Sequence, residues 1–335
     1  MIKRMAVAMV GLALVGSASA YDLGPVAVHG TFSQGYVYSD DNSYIADSAD
    51  GTFDFREYGL NAMWRTPIDR FQLGAQLFGR EYGSTGNDQL YVDWAYADYR
   101  ATDWAGLRAG RIRVPLGLYN ETRDIDALRT EVTLPQTLYL EMTREVFDSL
   151  DGVGLYGTVP LAAAGEVGYQ ALYGITQMDA DDGDFQRAIS GYGLDPSDYG
   201  DEPGYAVALE WGTPVAGLRM VGSYFSADMT MDGSVQVPTV GPVPFSTPDG
   251  TIHAGAASIE YSVADWVFSA EWIKGTFEVD MQVGGRPAPD AKETFEGYYL
   301  RGDYRINPRL AAVGGYGYCE TDTSKQDEDD YYAAL

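Results

Sequence analysis

The sequence predicts an all-β protein, an antiparallel transmembrane β-barrel, from three observations. Segments of about ten residues with alternating apolar and polar positions recur along the chain. The connections between these segments alternate between short and long. After residue 20 no apolar run approaches the ~18 residues of a membrane helix, so a chain in a membrane would cross it with strands. The predicted strands cover 26–38, 52–64, 70–83, 89–101, 104–114, 151–160, 165–177, 204–212, 216–227, 250–262, 265–279, 293–305 and 308–320, with another beginning at Tyr331.

The order of the connections distinguishes a barrel from a soluble β-sandwich. Tight turns are expected at 65–69, 101–103, 161–164, 213–215, 263–264 and 306–308. The longer connections between them are 39–51, 84–88, 115–150, 178–203, 228–249, 280–292 and 321–330. Short turns at one end and long loops at the other are typical of outer-membrane barrels, in which the short turns face the periplasm.

The faces of the predicted strands agree with a lipid-facing and a lumen-facing side. Trp266, Phe268, Ala270 and Trp272 share one face of their strand, opposite Ser269 and Glu271. The same alternation sets Tyr298, Leu300 and Tyr304 against Arg301 and Asp303, and Leu218, Met220 and Tyr224 against Arg219 and Ser223. Aromatic residues flank the short turns, as a girdle would: Trp64, Tyr99, Trp104, Trp211, Tyr261, Trp266 and Tyr304. The alternative is a soluble β-protein with half-buried strands.

Composition excludes several classes of protein. The chain has 22 Lys and Arg against 49 Asp and Glu, a net charge of −27. Nucleic-acid binding rests on basic residues that neutralise phosphates, so no nucleic-acid partner is expected. With 45% hydrophobic residues the chain is too apolar for disorder. Its single cysteine, Cys319, excludes an internal disulfide and a zinc site built from cysteines.

The first twenty residues are typical of a cleaved signal peptide. Lys3 and Arg4 form a basic start, 5–16 is apolar, and Ala18-Ser19-Ala20 is a small-residue cleavage site. The predicted organisation is therefore a signal peptide over 1–20 and a barrel domain over 21–335. The alternative, an uncleaved anchor, is disfavoured because the apolar run is too short. Export through this signal would lead to the cell outer membrane.

The strand that begins at Tyr331 breaks off at Leu335, too early to cross a bilayer. Bacterial single-chain barrels have an even number of strands. We therefore expect about 14 strands in this sequence and about 16 in the complete protein, with the rest lost at the C-terminus.

The connection 115–150 is far longer than the usual connection of about 4–6 residues. It is also rich in apolar side chains, from Leu116 to Phe147, so it must pack against something. As the third long connection of a barrel, it is predicted to fold inward and narrow the pore.

Charged residues in and before this loop are the candidate pore-constriction and solute-binding residues. Arg111 and Arg113 are expected on one face of the strand that leads into the loop, with Ile112 opposite. Guanidinium groups in a constriction favour anions. The candidate anion contacts are Arg111, Arg113, Arg123 and Arg129, and the candidate opposing charges are Asp124 and Asp126. In the alternative, the arginines pair with these acids and hold the loop to the wall.

Several segments resemble Gram-negative outer-membrane porins of the phosphate-selective porin O/P superfamily. The similarity covers 28–36, 50–55 and above all 110–126, and its strongest part is Pro115-Leu116-Gly117-Leu118-Tyr119-Asn120-Glu121-Thr122-Arg123-Asp124. It continues through Leu134-Pro135-Gln136 and 151–157. The resemblance implies a homotrimer of barrels of about sixteen strands, each with its third long loop in the lumen. The phosphate-specific members carry an arginine ladder and a lysine cluster, whereas here only Lys274, Lys292 and Lys325 follow residue 20. Phosphate specificity is not predicted.

The sequence gives little indication of a catalytic or metal-binding site. The only histidines are His29 and His253, and both are interpreted as structural, with His253 facing lipid. Acidic residues crowd 178–203 and 327–330, which would suit divalent cations, but without the spacing of a calcium loop a solvated surface is favoured. No metal or cofactor is predicted.

These observations predict a non-enzymatic outer-membrane porin, either general or anion-preferring, that passes small hydrophilic solutes down their gradients. Its partners would be those solutes, outer-membrane lipid and two further copies of itself. The alternatives are a barrel enzyme or adhesin acting through the acidic loops, and a barrel fully plugged by its loop.

Overall fold

A computed structural model describes residues 19–38, 51–82, 85–86, 88–124, 133–178, 185, 189–190, 193–307, 310–322 and 328–334. They form one antiparallel sheet of 19 strands. The strands are β1 (Ser19–Leu23), β2 (Val26–Gln34), β3 (Arg56–Arg65), β4 (Phe71–Tyr82), β5 (Thr85–Gly86), β6 (Tyr91–Thr102), β7 (Ala105–Arg113), β8 (Ser149–Pro160), β9 (Glu166–Ile175), β10 (Leu194–Tyr199), β11 (Pro203–Gly212), β12 (Leu218–Asp228), β13 (Met231–Val237), β14 (Gly241–Val263), β15 (Trp266–Val283), β16 (Arg286–Pro287), β17 (Ala291–Asn307), β18 (Leu310–Thr321) and β19 (Glu328–Ala334).

The helical elements are short. The helical elements that lie wholly within the described residues are the single-turn 3-10 helices Asn120–Thr122, Glu141–Thr143 and Ala162–Ala164 and the five-residue α-helix α1, Arg144–Asp148. None of the helices within the described residues is long and apolar enough to cross a membrane.

Each long strand pairs with the next long strand along the chain. The pairing runs from β1 through β2, β3, β4, β6, β7, β8, β9, β11, β12, β14, β15, β17 and β18 to β19. This up-and-down order is the antiparallel meander that the alternating pattern predicts. The turn Ala264–Asp265 shows how tight the short connections are: Val263 pairs directly with Trp266 across it, and Ala264 has a φ of 52°.

The sheet has an apolar outside and a polar inside. Large apolar side chains are exposed on one face of successive strands, including Leu155, Val207, Leu209, Ile259, Phe268 and Leu300. All seven aromatic residues predicted to flank the short turns are among the exposed ones, from Trp64 to Tyr304. Charged side chains such as Asp93, Glu271 and Arg301 are buried. A soluble protein shows the reverse distribution, so the fold is a transmembrane β-barrel with lipid outside.

The predicted strand faces are confirmed. On β15 Trp266, Phe268 and Trp272 are exposed while Ser269 and Glu271 are buried. The other predicted faces are those of β17, where Tyr299, Arg301 and Asp303 are buried between exposed neighbours, and of β12, where Ser223 is buried between Gly222 and Tyr224.

Several connections expected to be loops contain strands instead, and the shortest of them, 84–88, holds the two-residue β5. β10 lies in 178–203, β13 and the start of β14 lie in 228–249, and the end of β15 with β16 lies in 280–292. β14 has 23 residues and β15 has 18, against the ~9–11 that cross a bilayer. The hairpins therefore continue past the long-loop end of the barrel. Their glycines and prolines indicated loops, whereas pairing with neighbouring hairpins keeps them extended.

The start of the chain also differs from the expectation. The predicted signal peptide, 1–20, lies outside the described residues except for Ser19 and Ala20. These two residues belong to β1, which pairs with β2 from Ser19 opposite Gly30 to Leu23 opposite Val26. The last predicted strand, expected to begin at Tyr331, begins at Glu328 in β19.

Candidate functional site: the loop across the barrel interior

The loop after β7 is closed at its base by its own backbone. Arg113 pairs with Ser149 at the start of β8, and the Val114 amide donates to the Asp148 carbonyl at 2.8 Å. The Asn120 side chain donates to the carbonyls of Val114 at 2.8 Å and Phe147 at 2.9 Å. One buried amide group therefore joins both ends of the loop.

Eight buried charged residues, here called the ionic cluster, attach the loop to the strands near its base. The wall contributes Arg80 from β4, Asp93 from β6 and Arg113 from β7. The loop contributes Arg123, Asp124, Glu141, Arg144 and Asp148. Their side chains are 0–7% exposed. Four arginines meet four carboxylates, so the cluster is electrically neutral.

Within the ionic cluster each arginine contacts at least one carboxylate. Arg113 contacts Asp93 and Asp124 and lies 2.6 Å from Asp148. Arg144 contacts Asp124 and lies 3.2 Å from Asp93. Glu141 pairs with Arg80 and, at 2.8 Å, with Arg123, and Arg144 also lies 3.9 Å from Glu141 and 3.8 Å from Asp148. Buried charges are stable only when paired in this way, so the cluster fixes the position of the loop base.

Burial and the neighbouring charges shift the pKa values of Arg123 and Arg144 in opposite directions. Burial, followed by the positive charge of Arg144, lowers the pKa of Arg123. Burial also acts to lower the pKa of Arg144, but Tyr91, Asp148 and Asp93 outweigh it and raise that pKa. The Arg144 guanidinium also lies 4.7 Å above the Phe78 ring. Arg144 is therefore the more firmly held cation of the two.

A second set of contacts, here called the Glu271 anchor, holds the loop to strands that are not its neighbours in the sheet. The Leu118 amide and the Tyr139 hydroxyl donate to the Glu271 carboxylate of β15 at 2.8 and 2.6 Å. The Tyr119 hydroxyl donates to Glu260 of β14 at 2.6 Å and lies 2.7 Å from the Ser269 hydroxyl. Because Glu271 and Ser269 are on the inward face of β15, the loop crosses the barrel interior to reach them.

The loop also contacts the wall formed by β7 and β9. Gln170 of β9 donates to the Glu121 carboxylate at 2.6 Å, and Arg108 of β7 lies 3.9 Å from it. The Gly117 amide donates to Ser223 of β12 at 2.9 Å. The described part of the loop thus reaches walls on several sides of the interior.

The structure places the six candidate residues differently from one another. Arg113, Arg123 and Asp124 come together in the ionic cluster. Arg111 is separate from it, 3.7 Å from Asp151 of β8 and about a quarter exposed. Ile112 packs in the apolar cluster with Val114, Leu116, Val146 and Leu150. Asp126 and Arg129 lie outside the described residues.

Sequence reasoning missed most partners of these arginines. Asp93 faces inward because the pairing of β4 with β6 shifts register between Gln76 and Leu77, a β-bulge that places an additional residue in β6. In the sequence, the feature that could have indicated this inward position is a charged residue between two apolar ones, Val92 and Trp94. Arg144 and Asp148 carry a helical spacing of four residues, which could have indicated α1.

Metal binding finds no geometric support in the part of the chain that the structure describes. No group of three or more His, Cys, Asp or Glu side chains there could hold an ion. Of the acidic residues in 178–203, Asp195 and Asp198 belong to β10. His253 stacks on Tyr224 with ring centroids 6.4 Å apart, on the same face of β14 as exposed Ile259.

Comparison with known proteins identifies the fold. No protein-family profile matches the chain. A protein of Aquifex aeolicus (strain VF5), described only as uncharacterized, is 33% identical over 109 residues, 32% of this chain. The match spans only 22% of the length of that relative, so it assigns no activity.

Among solved structures, the outer-membrane expressed OmpT of Vibrio cholerae is similar with a TM-score of 0.54 and 13% identity, over 93% of this chain and 81% of that one. An anion-selective porin from Comamonas acidovorans has a TM-score of 0.34 and 11% identity, over 92% and 95%. OpdQ of Pseudomonas aeruginosa has a TM-score of 0.31 and 9% identity, over 91% and 94%. The first likeness shows the fold of an outer-membrane β-barrel; the other two scores are too low to support an inference.

Proposed function

We propose that this chain is a non-enzymatic porin of the outer membrane, through which small hydrophilic solutes diffuse passively. One observation carries the proposal: a loop crosses the interior of a lipid-facing barrel and is held to its wall by buried polar contacts. A loop held in this way narrows a passage without needing to move. The constriction would be formed by the loop 115–150, and the ionic cluster would fix its base.

The pairing of the inward charges supports weak charge selectivity. Besides the neutral ionic cluster, Arg108 lies 2.9 Å from Asp98, Arg219 lies 2.9 Å from Glu260, and Arg301 lies 2.7 Å from Asp303. Paired charges present little net field to a passing ion. We therefore propose a pore with at most a mild preference for anions. Arg111 remains a candidate contact, although it lies opposite Asp151 on the face of β7 that also carries exposed Leu107, away from the lumen. Asp126 and Arg129 remain candidate contacts.

We also propose where the protein is located and how it assembles. Export would use the signal peptide at 1–20, and the exposed apolar band would face outer-membrane lipid. The resemblance of 110–126 to the phosphate-selective porin O/P superfamily supports membership of that superfamily and a homotrimeric assembly. Cross-linking of the protein purified in mild detergent would detect the trimer.

Reconstitution in a planar bilayer tests the proposed function. Wild-type protein should give stepwise conductance, and a salt gradient should give a small reversal potential of the anion-selective sign. Arg113→Ala should shift that potential toward cations, because it leaves the ionic cluster with one net negative charge. Arg111→Ala should change it less, because Arg111 lies on the outward face of β7. Folded protein that inserts without conducting would contradict the proposal and favour a plugged barrel, an enzyme or an adhesin. A cation-selective wild type would contradict the anion preference alone.

A further inference from the structure

Glu271 stands out as a buried carboxylate without a cationic partner among the described residues. It is 2% exposed and faces the barrel interior from β15. Its two oxygens accept hydrogen bonds from the Tyr139, Tyr299 and Ser258 hydroxyls and the Leu118 amide. The donors come from both the wall and the loop. A buried carboxylate needs such donors, so each loop donor is held strongly.

The loop backbone is shaped to reach this carboxylate. Gly117 has a φ of +66°, which L side chains rarely adopt. A Cβ at that position would lie 2.6 Å from the Tyr139 hydroxyl oxygen and 2.7 Å from Glu271 Oε2. Only glycine therefore lets the Leu118 amide approach Glu271 to 2.8 Å. The contact between the Leu118 amide and the wall therefore requires both Gly117, which allows the approach, and Glu271, which accepts the hydrogen bond.

We propose that Glu271 is the positioning residue that sets the width of the passage by fixing the loop against β15. The inference rests on the proposed function for its consequence, because a wider passage matters only if the barrel conducts. It differs from the role of the ionic cluster, which holds the base of the loop near β7. Glu271 instead holds the segment 117–119, which crosses the interior.

Glutamine at position 271 is the informative substitution because it changes one acceptor oxygen into a donor and keeps the volume. Its NH₂ group would face the Leu118 amide or a tyrosine hydroxyl, donor against donor. The glutamine can keep its oxygen toward the Leu118 amide, but its NH₂ group then faces the Tyr139 and Tyr299 hydroxyls, which lose their acceptor. Because the Tyr139 oxygen also accepts the Tyr119 amide at 2.9 Å, Glu271→Gln should loosen the segment 117–119 without opening a cavity.

Single-channel recording and hydrogen exchange test this proposal together. Glu271→Gln should raise the unit conductance about twofold and add fluctuations between open levels, since a loose loop no longer fixes the pore radius. Amide exchange in the segment around Leu118 should become faster. Gly117→Ala should show both effects by a separate route. Shifted mobility on unheated gels would verify that each variant folds.

Glu278→Gln is the matched control. Glu278 lies on the same strand, is exposed, and contacts Lys292 at 2.8 Å. It should leave conductance and exchange unchanged. Unaltered exchange around Leu118 in folded Glu271→Gln, or an unaltered unit conductance despite faster exchange, would overturn the proposal. A non-conducting wild type would refute the proposed function, whereas faster exchange in Glu271→Gln would still establish the contact with the loop.

Discussion

Arg113 lies where β7 passes into the loop and contacts three carboxylates, those of Asp93, Asp124 and Asp148. Its side chain is 6% exposed, and its carboxylate partners are buried with it. The acids belong to a wall strand, to the first part of the loop and to α1. At the scale of one residue, Arg113 joins three segments that are far apart in sequence.

Removing this guanidinium should destabilise the barrel strongly. Arg113→Ala leaves three acids that share Arg144 as their remaining close cation among the described residues, and breaking a buried pair costs about 3–5 kcal/mol in free energy of unfolding. Urea titration of the reconstituted protein, followed by tryptophan fluorescence, would measure the loss. Arg56→Ala is the control: its partner Asp88 is 39% exposed, so the loss should stay below about 1 kcal/mol. Equal losses in the two variants would contradict the buried cluster.

Tyr139 makes the Glu271 anchor dependent on pH. Burial, followed by the negative charge of Glu271, raises the pKa of Tyr139 well above its ordinary value. The unfolded chain ionises this phenol near pH ~10. The stability that the neutral phenol contributes is thus fully present below pH ~10 and is lost as pH rises through the raised pKa of the folded state.

Tyrosinate absorbance tests this assignment. At pH ~11 the folded wild type and folded Tyr139→Phe should absorb equally, because Tyr139 stays neutral in the wild type. In denaturant at the same pH the wild type should show one additional tyrosinate. If that additional tyrosinate is present in the folded protein, Tyr139 is not buried against Glu271.

The sequence indicated some of these residues and missed others for a physical reason. Arg123 and Asp124 stand in a loop whose length and apolar content were visible in the sequence, and Arg113 directly precedes it. Asp93 and Glu271 stand in strands, where alternation predicts the face of a residue but not its partner across the interior. Partner choice depends on the path of the loop, which local pattern does not contain.

Asn120 is the main polar tie at the scale of the loop as an element. Its amide group donates to carbonyls at both ends of the loop, and its residue is 3% exposed. The 3-10 helix at Asn120–Thr122 has too few backbone hydrogen bonds to hold itself. The side chain therefore supplies order that the backbone lacks.

Asn120→Ala should loosen the loop base while leaving the strands intact. The buried Val114 carbonyl and the part-buried Phe147 carbonyl lose their donor, and the loss at the buried one costs about 1–3 kcal/mol. Hydrogen exchange should accelerate at Val114 and Thr122 but not in β14 or β15. Asn61→Ala is the control, because Asn61 donates to Gln76 of the neighbouring strand at a long 3.4 Å. Acceleration confined to the strands would contradict the role assigned to Asn120.

For the strands, the sequence pattern predicted the order in which they pair but not their lengths. Period-two alternation is local and independent of partners, so the transmembrane segments could be placed from the sequence. The first part of β14 contains Pro242 and Pro244, and Pro238 lies in the turn that follows β13; these prolines indicated a loop. β13 and this part of β14 stay extended because β10 pairs with β13 beyond the barrel wall, from Leu194 opposite Val235 to Tyr199 opposite Met231.

The stability of the whole molecule depends on the surrounding solvent, because the apolar face of the barrel points outward. Leu209 of β11 is 60% exposed and lies between Tyr205 and Trp211, two exposed aromatic residues on the same face. In water such a band would favour aggregation, whereas in lipid it is the stable arrangement. The cost of a charge at Leu209 should therefore report which solvent the barrel wall contacts.

Leu209→Arg should lower the free energy of unfolding in liposomes by about 2–4 kcal/mol, because a charge near the bilayer centre is poorly solvated. Val240→Arg is the matched control: Val240 is 72% exposed but lies in the turn between β13 and β14, beyond the membrane. Its substitution should change stability by less than about 0.5 kcal/mol. Similar small effects at both sites would mean that β11 faces water and that the barrel is not embedded as its outer surface requires.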